Sequence, residues 1–360
     1  MTARTARPCV ALFLPLPAGN PYQARLAGAL GEAGVEVRKG GRAILWRLLH
    51  TPGAVVHVHW VEGIYGQKQH RWRVLRALTI LGQLAIGRIL GYELIWTVHN
   101  LEPHERHAPR LAAWCTWAVA RLATGLILHC QWAKADLIAR YPWTAQKRLV
   151  VMPHGHFIGL YPPGAERGRA RARLGVTARE TLFLLFGHLR PYKGTDELVY
   201  AFKQIPRTAR ARLMLAGQPL YKEFAVHIRS LSEGDERIIL SLESVPQGRV
   251  SEYFAAADFQ VLPYRTITTS GAAVLGMSLS TAVIAPTIGC LPETIPPEAG
   301  ILFDPREPDN LRNALLQAIS RRDESGVLGQ AGLAKAQEWS WKRIAEQTRD
   351  LYEGRLPRRG

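Results

Sequence analysis

Between Gly187 and Gly194 the chain reads His-Leu-Arg-Pro-Tyr-Lys, which sets His188, Arg190 and Lys193 within one short loop. An ammonium and a guanidinium placed this closely suit a small, strongly anionic ligand such as a diphosphate. The plain alternative is a basic loop that water alone solvates. The helix that should follow opens with Asp196 and Glu197. Two carboxylates there would repel a phosphate, so the positive charge of the site is assigned to the loop's side chains and not to that helix end.

A second stretch strengthens the anion reading. Thr268-Thr269-Ser270-Gly271 precedes a run of small helical residues, and no acid occurs from Thr266 to Thr281. Hydroxyls and open amides at an uncapped helix start form an anion site, and Arg265 lies beside it. Thr269, Ser270 and Gly271 are therefore candidate ligands with Arg265. A Thr/Ser-capped core helix is the common alternative, but two such sites at one sheet edge fit a diphosphate.

The elements that must carry these loops are legible as short apolar runs. In the first half they span 9–14, 35–38, 54–59, 93–98, 125–130 and 148–152; in the second, 181–187, 211–217, 237–242, 259–263, 281–286 and 300–304. Most are continuously apolar, as in strands of a parallel sheet covered on both faces. Helical periodicity lies between many of them. At 195–205 Leu198, Val199, Phe202 and Ile205 share a face, with Thr195 as the expected cap; 308–320 has Leu311, Leu315, Leu316 and Ile319. This alternation predicts an α/β protein of two Rossmann-like, doubly wound domains facing a cleft. Pro162-Pro163-Gly164 and the arginine run after it mark the break. The expected division is 1–165, 166–338, and a C-terminal amphipathic helix at 339–360 packing near the domain junction.

Composition narrows the class. The 360 residues are 47% hydrophobic and 21% charged, which suits two folded domains and excludes disorder. Net charge is +17. Residues 1–170 hold 21 Lys/Arg against 8 Asp/Glu, a net of +13, which leaves +4 for the rest. Such a field attracts anionic lipid, polyphosphate or nucleic acid. The four cysteines form no C-x-x-C pair, so neither a zinc site nor a redox pair is implied. No run of about 18 apolar residues suggests a spanning helix.

Taken together, "FGHLRPYKG", "LMLAG", "VSEYFAAADFQVLPY", the 268–286 segment, "LPETI" and "GILFDP" resemble GT-B glycosyltransferases, in particular family 4, the glycosyltransferase group 1 enzymes. The resemblance covers nearly the whole chain. It implies a nucleotide-sugar donor in the C-terminal domain, an acceptor in the N-terminal domain, and no metal, because side chains and a helix end balance the diphosphate. The sequence departs from the family twice. His188 stands where an arginine usually follows the first loop glycine. Ile267 and Leu275 stand where two glutamates usually face the donor sugar and ribose.

The resemblance directs attention to an acceptor hydroxyl that must lose a proton as it attacks the anomeric carbon, a task for a general base. "WTVHNLEPHERH" (96–107) follows an N-terminal strand and offers His99 and Glu105 as the favoured candidates. "VHVHWVEG" (56–63) resembles bacterial exopolysaccharide transferases and those acting on lipid-linked sugars, and adds Glu62. With the glutamate pair missing, inversion is favoured. His57 and His59 alternate on a strand, and a buried hydrogen-bonded pair outweighs a metal-ligand reading. Gly19, in the loop after the first strand, would allow close approach to donor or acceptor.

Residues 68–91 combine five basic side chains with Trp72, Leu75, Leu78, Ile80 and Leu81. This pattern fits a helix lying on an anionic membrane surface, or one packed on the sheet with its arginines solvated. The expected partners are a nucleotide-sugar, a polyprenyl-linked saccharide acceptor and an anionic membrane. The expected location is cytoplasmic, peripheral on the inner face of the cell membrane, with GDP-mannose ahead of UDP-sugars as donor. The alternatives are a two-Rossmann sugar-nucleotide epimerase and a non-enzymatic polyanion binder. Nucleic acid is not expected, because the basic residues are not interleaved with aromatics and no DNA-reading motif occurs.

Overall fold

The computed structural model describes residues 9–16, 19–66, 70–102 and 108–355. The chain divides into unit 1, residues 1–155 with 340–360, and unit 2, residues 156–339. The sequence reading placed the first break at 165/166 and kept the last helix apart from both domains.

Unit 1 contains β1 (Cys9–Leu14), α1 (Pro21–Glu32), β2 (Val35–Lys39), α2 (Ile44–Leu49), β3 (Val55–Val58), α3 (Glu62–Tyr65), α4 (His70–Ile89), β4 (Leu94–Thr97), α5 (Pro109–Leu122), β5 (Gly125–Leu128), α6 (Gln131–Arg140) and β6 (Arg148–Val151). The strands pair in the order β2-β1-β3-β4-β5-β6, all parallel, with Phe13 opposite His57 and His57 opposite Ile95. Strands β3, β4 and β5 are buried at every residue, as their largely apolar sequences require. Asn20 caps α1 by accepting from the Gln23 amide at 3.1 Å, and Pro21 suits the first helical turn.

Unit 2 contains α7 (Arg167–Arg173), β7 (Thr181–Phe186), α8 (Thr195–Lys203), β8 (Ala211–Ala216), α9 (Lys222–Ser232), β9 (Ile238–Ser241), α10 (Val250–Ala256), β10 (Phe259–Val261), α11 (Gly271–Ser278), β11 (Ala282–Pro286), α12 (Leu291–Thr294), β12 (Gly300–Phe303), α13 (Asn310–Ser320) and α14 (Ser325–Gln337). Its six parallel strands run β12-β11-β10-β7-β8-β9. The chain moves outward one way from β7 and the other way from β10, so the loops after these two strands flank the topological switch point, where open α/β sheets bind ligands. In unit 1 the same logic singles out the loops after β1 and β3.

Two of the four arginines of α7, Arg167 and Arg171, are structural. Asp258, 3% exposed, accepts from Arg171 Nη1 at 3.1 Å, Arg167 Nη2 at 2.5 Å and the Leu182 amide at 2.7 Å. A buried carboxylate needs such partners to remain charged. The charges of Arg167 and Arg171 are thus committed to Asp258. Thr195 does not cap α8: Gly194 occupies the cap position and the Thr195 hydroxyl is buried with no partner among the described residues.

The last helix, α15 (Trp341–Tyr352), packs on α1 in unit 1. Its apolar face buries Trp341, Ile344, Ala345, Leu351 and Tyr352. Arg349 Nη1 donates to the Ala33 carbonyl at 3.1 Å, and Arg148 Nη1 donates to the Leu351 carbonyl at 3.1 Å. Gly155 makes room for this helix: a Cβ there would lie 2.5 Å from the Trp341 indole.

Candidate functional site

The loop after β7 is zipped to the end of β8. The Gly187 amide donates to the Ala216 carbonyl and the Leu189 amide to the Gln218 carbonyl, both at 2.9 Å. Strand pairing thus continues past β7 and fixes where Arg190 and Lys193 begin. Gly194 (φ 70°) turns the chain into α8, and a Cβ on it would sit 1.9 Å from the Pro263 carbonyl oxygen. Only glycine allows the loops after β7 and β10 to touch here. Replacing Gly194 by alanine sets a backbone clash on a left-handed conformation and should cost about 3 kcal/mol or more. A fall in thermal midpoint together with weakened donor binding checks this; an unchanged midpoint would show that the loop can move aside.

The two loops are joined further. The Arg265 amide donates to the Tyr192 carbonyl at 3.0 Å, the Tyr192 and Tyr264 rings stack at 6.1 Å, and the Tyr264 and Ser270 hydroxyls hydrogen-bond at 3.1 Å. The loops that carry the sequence-derived candidates Arg190, Lys193, Thr269, Ser270 and Gly271 are therefore in contact at the switch point. His188 is on the same loop and exposed. Lys193 is 9% exposed and has no carboxylate partner among the described residues. Burial, and then the neighbouring Arg190 charge, push its ammonium down to about 8. A buried cation without an internal counter-ion suits an external anion.

Two details differ from the sequence reading. The start of α11 is capped: Ser270 Oγ accepts from the Ala273 amide at 3.1 Å. The Gly271 and Ala272 amides remain as first-turn donors, so the anion site is narrower than an uncapped helix would offer. Arg265 is engaged elsewhere. It pairs with Glu197, and its Nη2 lies 3.8 Å from Asp196. His227 also approaches Asp196, at 3.2 Å. The two carboxylates that open α8 thus find partners in Arg265 and His227, and Arg265's charge goes to them.

In unit 1 the carboxyl ends of β3 to β6 bring together five histidines: His57, His59, His99, His129 and His154, each 9% exposed or less. His57 Nδ1 meets the Tyr352 hydroxyl at 2.5 Å and its Nε2 meets the Thr97 hydroxyl at 2.7 Å. His59 Nδ1 lies 3.4 Å from His99 Nε2. His129 Nδ1 donates to the Met152 carbonyl at 3.1 Å. Trp60 stacks on His99 at 4.3 Å and 11°. Tyr22 stands among the rings, 4.9 Å from His99 and 4.7 Å from His154. Burial keeps all five rings neutral. It lowers His57 and His154 to about 3 and His129 to about 4, and with the charges of neighbouring rings holds His59 and His99 well below the ordinary 6.5. No group of three or more His, Cys, Asp or Glu among the described residues is arranged to hold a metal ion.

The other unit 1 candidates separate. Glu62 begins α3, directly after β3, and burial raises its carboxyl; no cation pairs with it among the described residues. Gly63 beside it packs against Pro15, where a Cβ would stand 2.6 Å from Pro15 Cγ. Gly19 (φ 81°) lies in the loop after β1 with open space around its Cα. Glu105 falls outside the described residues. Sequence reasoning missed His129 and Tyr22; the signal available was that each of the five histidines lies at or within a few residues of a strand's carboxyl end.

Two six-stranded parallel sheets, each with its candidate site at the carboxyl edge, make up the GT-B fold, and solved proteins share it. Sucrose-phosphate synthase from Thermosynechococcus elongatus superposes with a TM-score of 0.75 at 20% identity, covering 97% of this chain and 99% of its own. Anabaena Alr3699/HepE in complex with UDP does so with 0.70 at 16%, covering 97% and 100%. Within the chain, residues 180–321 match the family "Glycosyl transferases group 1". Two curated relatives align over most of the chain. One is D-inositol 3-phosphate glycosyltransferase of Corynebacterium efficiens, 26% identical over 68% of this chain and 62% of its own length. The other is GDP-mannose:glycolipid 4-beta-D-mannosyltransferase of Xanthomonas campestris pv. campestris, 27% identical over 74% of this chain and 70% of its own.

Proposed function

We propose that the chain moves a hexosyl group from a nucleotide-sugar to a lipid-linked or saccharide acceptor in polysaccharide synthesis, with inversion. The observation that carries this is Lys193, a buried ammonium without a carboxylate partner among the described residues, on a loop that contacts the start of α11 through Tyr192 and Tyr264. In the reaction the acceptor oxygen bonds to the anomeric carbon as the bond from that carbon to the diphosphate breaks. The leaving diphosphate keeps the electron pair, and its added charge is met by Lys193, Arg190 and the first-turn amides of α11. These groups balance the diphosphate without a metal. The Xanthomonas relative's name favours GDP-mannose as donor and a glycolipid as acceptor. The UDP bound by Anabaena Alr3699/HepE keeps UDP-sugars next.

The acceptor proton goes to a unit 1 side chain. Burial makes the Glu62 carboxylate a stronger base than an exposed one, whereas it makes His99 a weaker one. We therefore place Glu62 as base and His99 as a neutral ring that accepts a hydrogen bond from the acceptor; Glu105 is a further candidate on the loop after β4. Glu62→Gln should lower kcat by about 100-fold or more while leaving the donor KM unchanged. A kcat within about threefold of the parent would remove Glu62 from the role.

No helix among the described residues is long and apolar enough to cross a membrane. Peripheral attachment at the cytoplasmic face rests on the basic charge of residues 1–170 and on the exposed apolar face of α4. The test is release of nucleoside diphosphate from a panel of GDP- and UDP-sugars with and without a polyprenyl-linked saccharide. Release that depends on the acceptor supports transfer. Interconversion of the donor alone would indicate an epimerase, and tight, salt-sensitive oligonucleotide binding without release a polyanion binder.

A further inference from the structure

Two adjoining cavities in unit 1 are not used by the donor chemistry. One, of about 460 Å³, opens at the carboxyl ends of β1 and β2, beside the segment that follows β3, and is lined by Pro15, Leu16, Lys39, Arg42, Gly63 and Arg76. The other, of about 450 Å³, is lined by Arg42, Tyr65, Trp72, Leu75, Arg76, Thr79 and Ile80. Arg42 and Arg76 belong to both. The first is therefore cationic and the second largely apolar, with two guanidinium groups where they meet.

The cations are held for an outside partner. Arg76 is fixed by its Nε, which donates to the Ile64 carbonyl at 3.1 Å, and by its Nη2, which donates to the Gly63 carbonyl at 2.8 Å. Neither Arg42 nor Lys39 has a carboxylate partner among the described residues, and no acid lines either cavity. The apolar wall continues outward. Trp72, Leu75, Leu78, Ile86 and Ile89 are each 45% exposed or more, and at 3.6 residues per turn they fall within about a third of the circumference of α4. Neighbouring α2 adds exposed Trp46 and Leu49. A solvated surface gains nothing from such a face, whereas an amphiphile with an anionic head matches both halves.

We infer that this pair of cavities binds one lipid diphosphate, its diphosphate against Lys39, Arg42 and Arg76 and the first part of its hydrocarbon chain against Trp72, Leu75 and Ile80. The inference deepens the proposed transfer to a lipid-linked acceptor and rests on it for its biological role. It also assigns a task to α4: the helix lies along the bilayer surface and delivers the chain of a single lipid molecule into the protein.

Calorimetry with farnesyl diphosphate below its aggregation concentration tests this on the full chain, with inorganic pyrophosphate and farnesol as separate probes. Farnesyl diphosphate should bind about tenfold or more tightly than either, because only it fills both cavities. Thr79→Trp, which fills the apolar cavity, should weaken farnesyl diphosphate about tenfold and leave pyrophosphate unchanged. Arg42→Ala should weaken both. GDP or UDP binding, a property of unit 2, should stay constant in every variant and certifies folding. Farnesyl diphosphate bound no more tightly than pyrophosphate, or unaffected by Thr79→Trp, would overturn the assignment. So would binding to phosphatidylglycerol vesicles without binding to farnesyl diphosphate, which would make the face a membrane contact only. Lost probe binding with transfer intact would sink the pocket alone; intact probe binding without any transfer would sink the transferase reading alone.

Discussion

Alanine at Lys193 should lower kcat/KM by about 100- to 1,000-fold and weaken nucleoside diphosphate binding by at least tenfold, the cost of removing one positioned charge from a leaving group. The residue has few substitutes. Arg265, on the neighbouring loop after β10, is held by Glu197 and Asp196. Ser270 is committed to capping α11. The effect should also carry a pH signature. With the ammonium lowered to about 8, donor affinity in the parent should fall as pH rises through that value, because the proton that makes the group attractive is lost. Lys193→Ala should abolish that fall. Binding titrations from pH 7 to 9 on both proteins decide the matter. A parallel decline in the variant would assign the pH dependence to another group, and unchanged affinity at pH 7 would remove Lys193 from the donor site.

Acid should unfold unit 1 before unit 2. The five clustered histidines are neutral in the folded state, with values pressed below the ordinary 6.5 by burial. Between about pH 6.5 and the folded values, the unfolded chain binds protons that the folded chain does not. Stability is therefore complete above about 6.5 and is lost as pH falls below it. At pH 5 the difference is about 2 kcal/mol for each such histidine. Even partial additivity would reach the few to fifteen kcal/mol that hold an ordinary domain. Unit 2 holds no comparable cluster among the described residues. Hydrogen exchange read by unit at pH 7 and pH 5 should show protection lost in the β3–β6 region while β7–β10 remains protected. Equal protection at both pH values would mean that the cluster protonates without unfolding. His57→Phe should reduce the acid sensitivity, at the cost of leaving the Tyr352 and Thr97 hydroxyls without that partner.

The sheets were readable because a strand covered on both faces has nowhere to place a polar residue. All twelve apolar runs became strands, with ends moved by a residue or two. The loops that flank the unit 2 switch point were readable for a related reason. Gly187 and Gly194 bracket the cations, and the switch point is a property of strand order. What could not be read was pairing across distance. Asp196 and Glu197 looked like repulsive neighbours of a phosphate until Arg265 was found beside them. The histidine cluster draws on residues 57, 59, 99, 129 and 154, whose common feature is position at strand ends and not proximity in sequence. The periodicity of 341–352 marked an amphipathic helix, but periodicity carries no address, and α1 as its partner emerged only from packing.

That address has a consequence for biosynthesis. Unit 2 is complete when the ribosome has passed Trp339, whereas unit 1 lacks α15 until Tyr352 has been made. The part of the chain made first must therefore wait until after unit 2 to close its core, the reverse of the usual N-terminal-first order. A stop codon placed just before α15 should damage the part made earliest and spare the part made later.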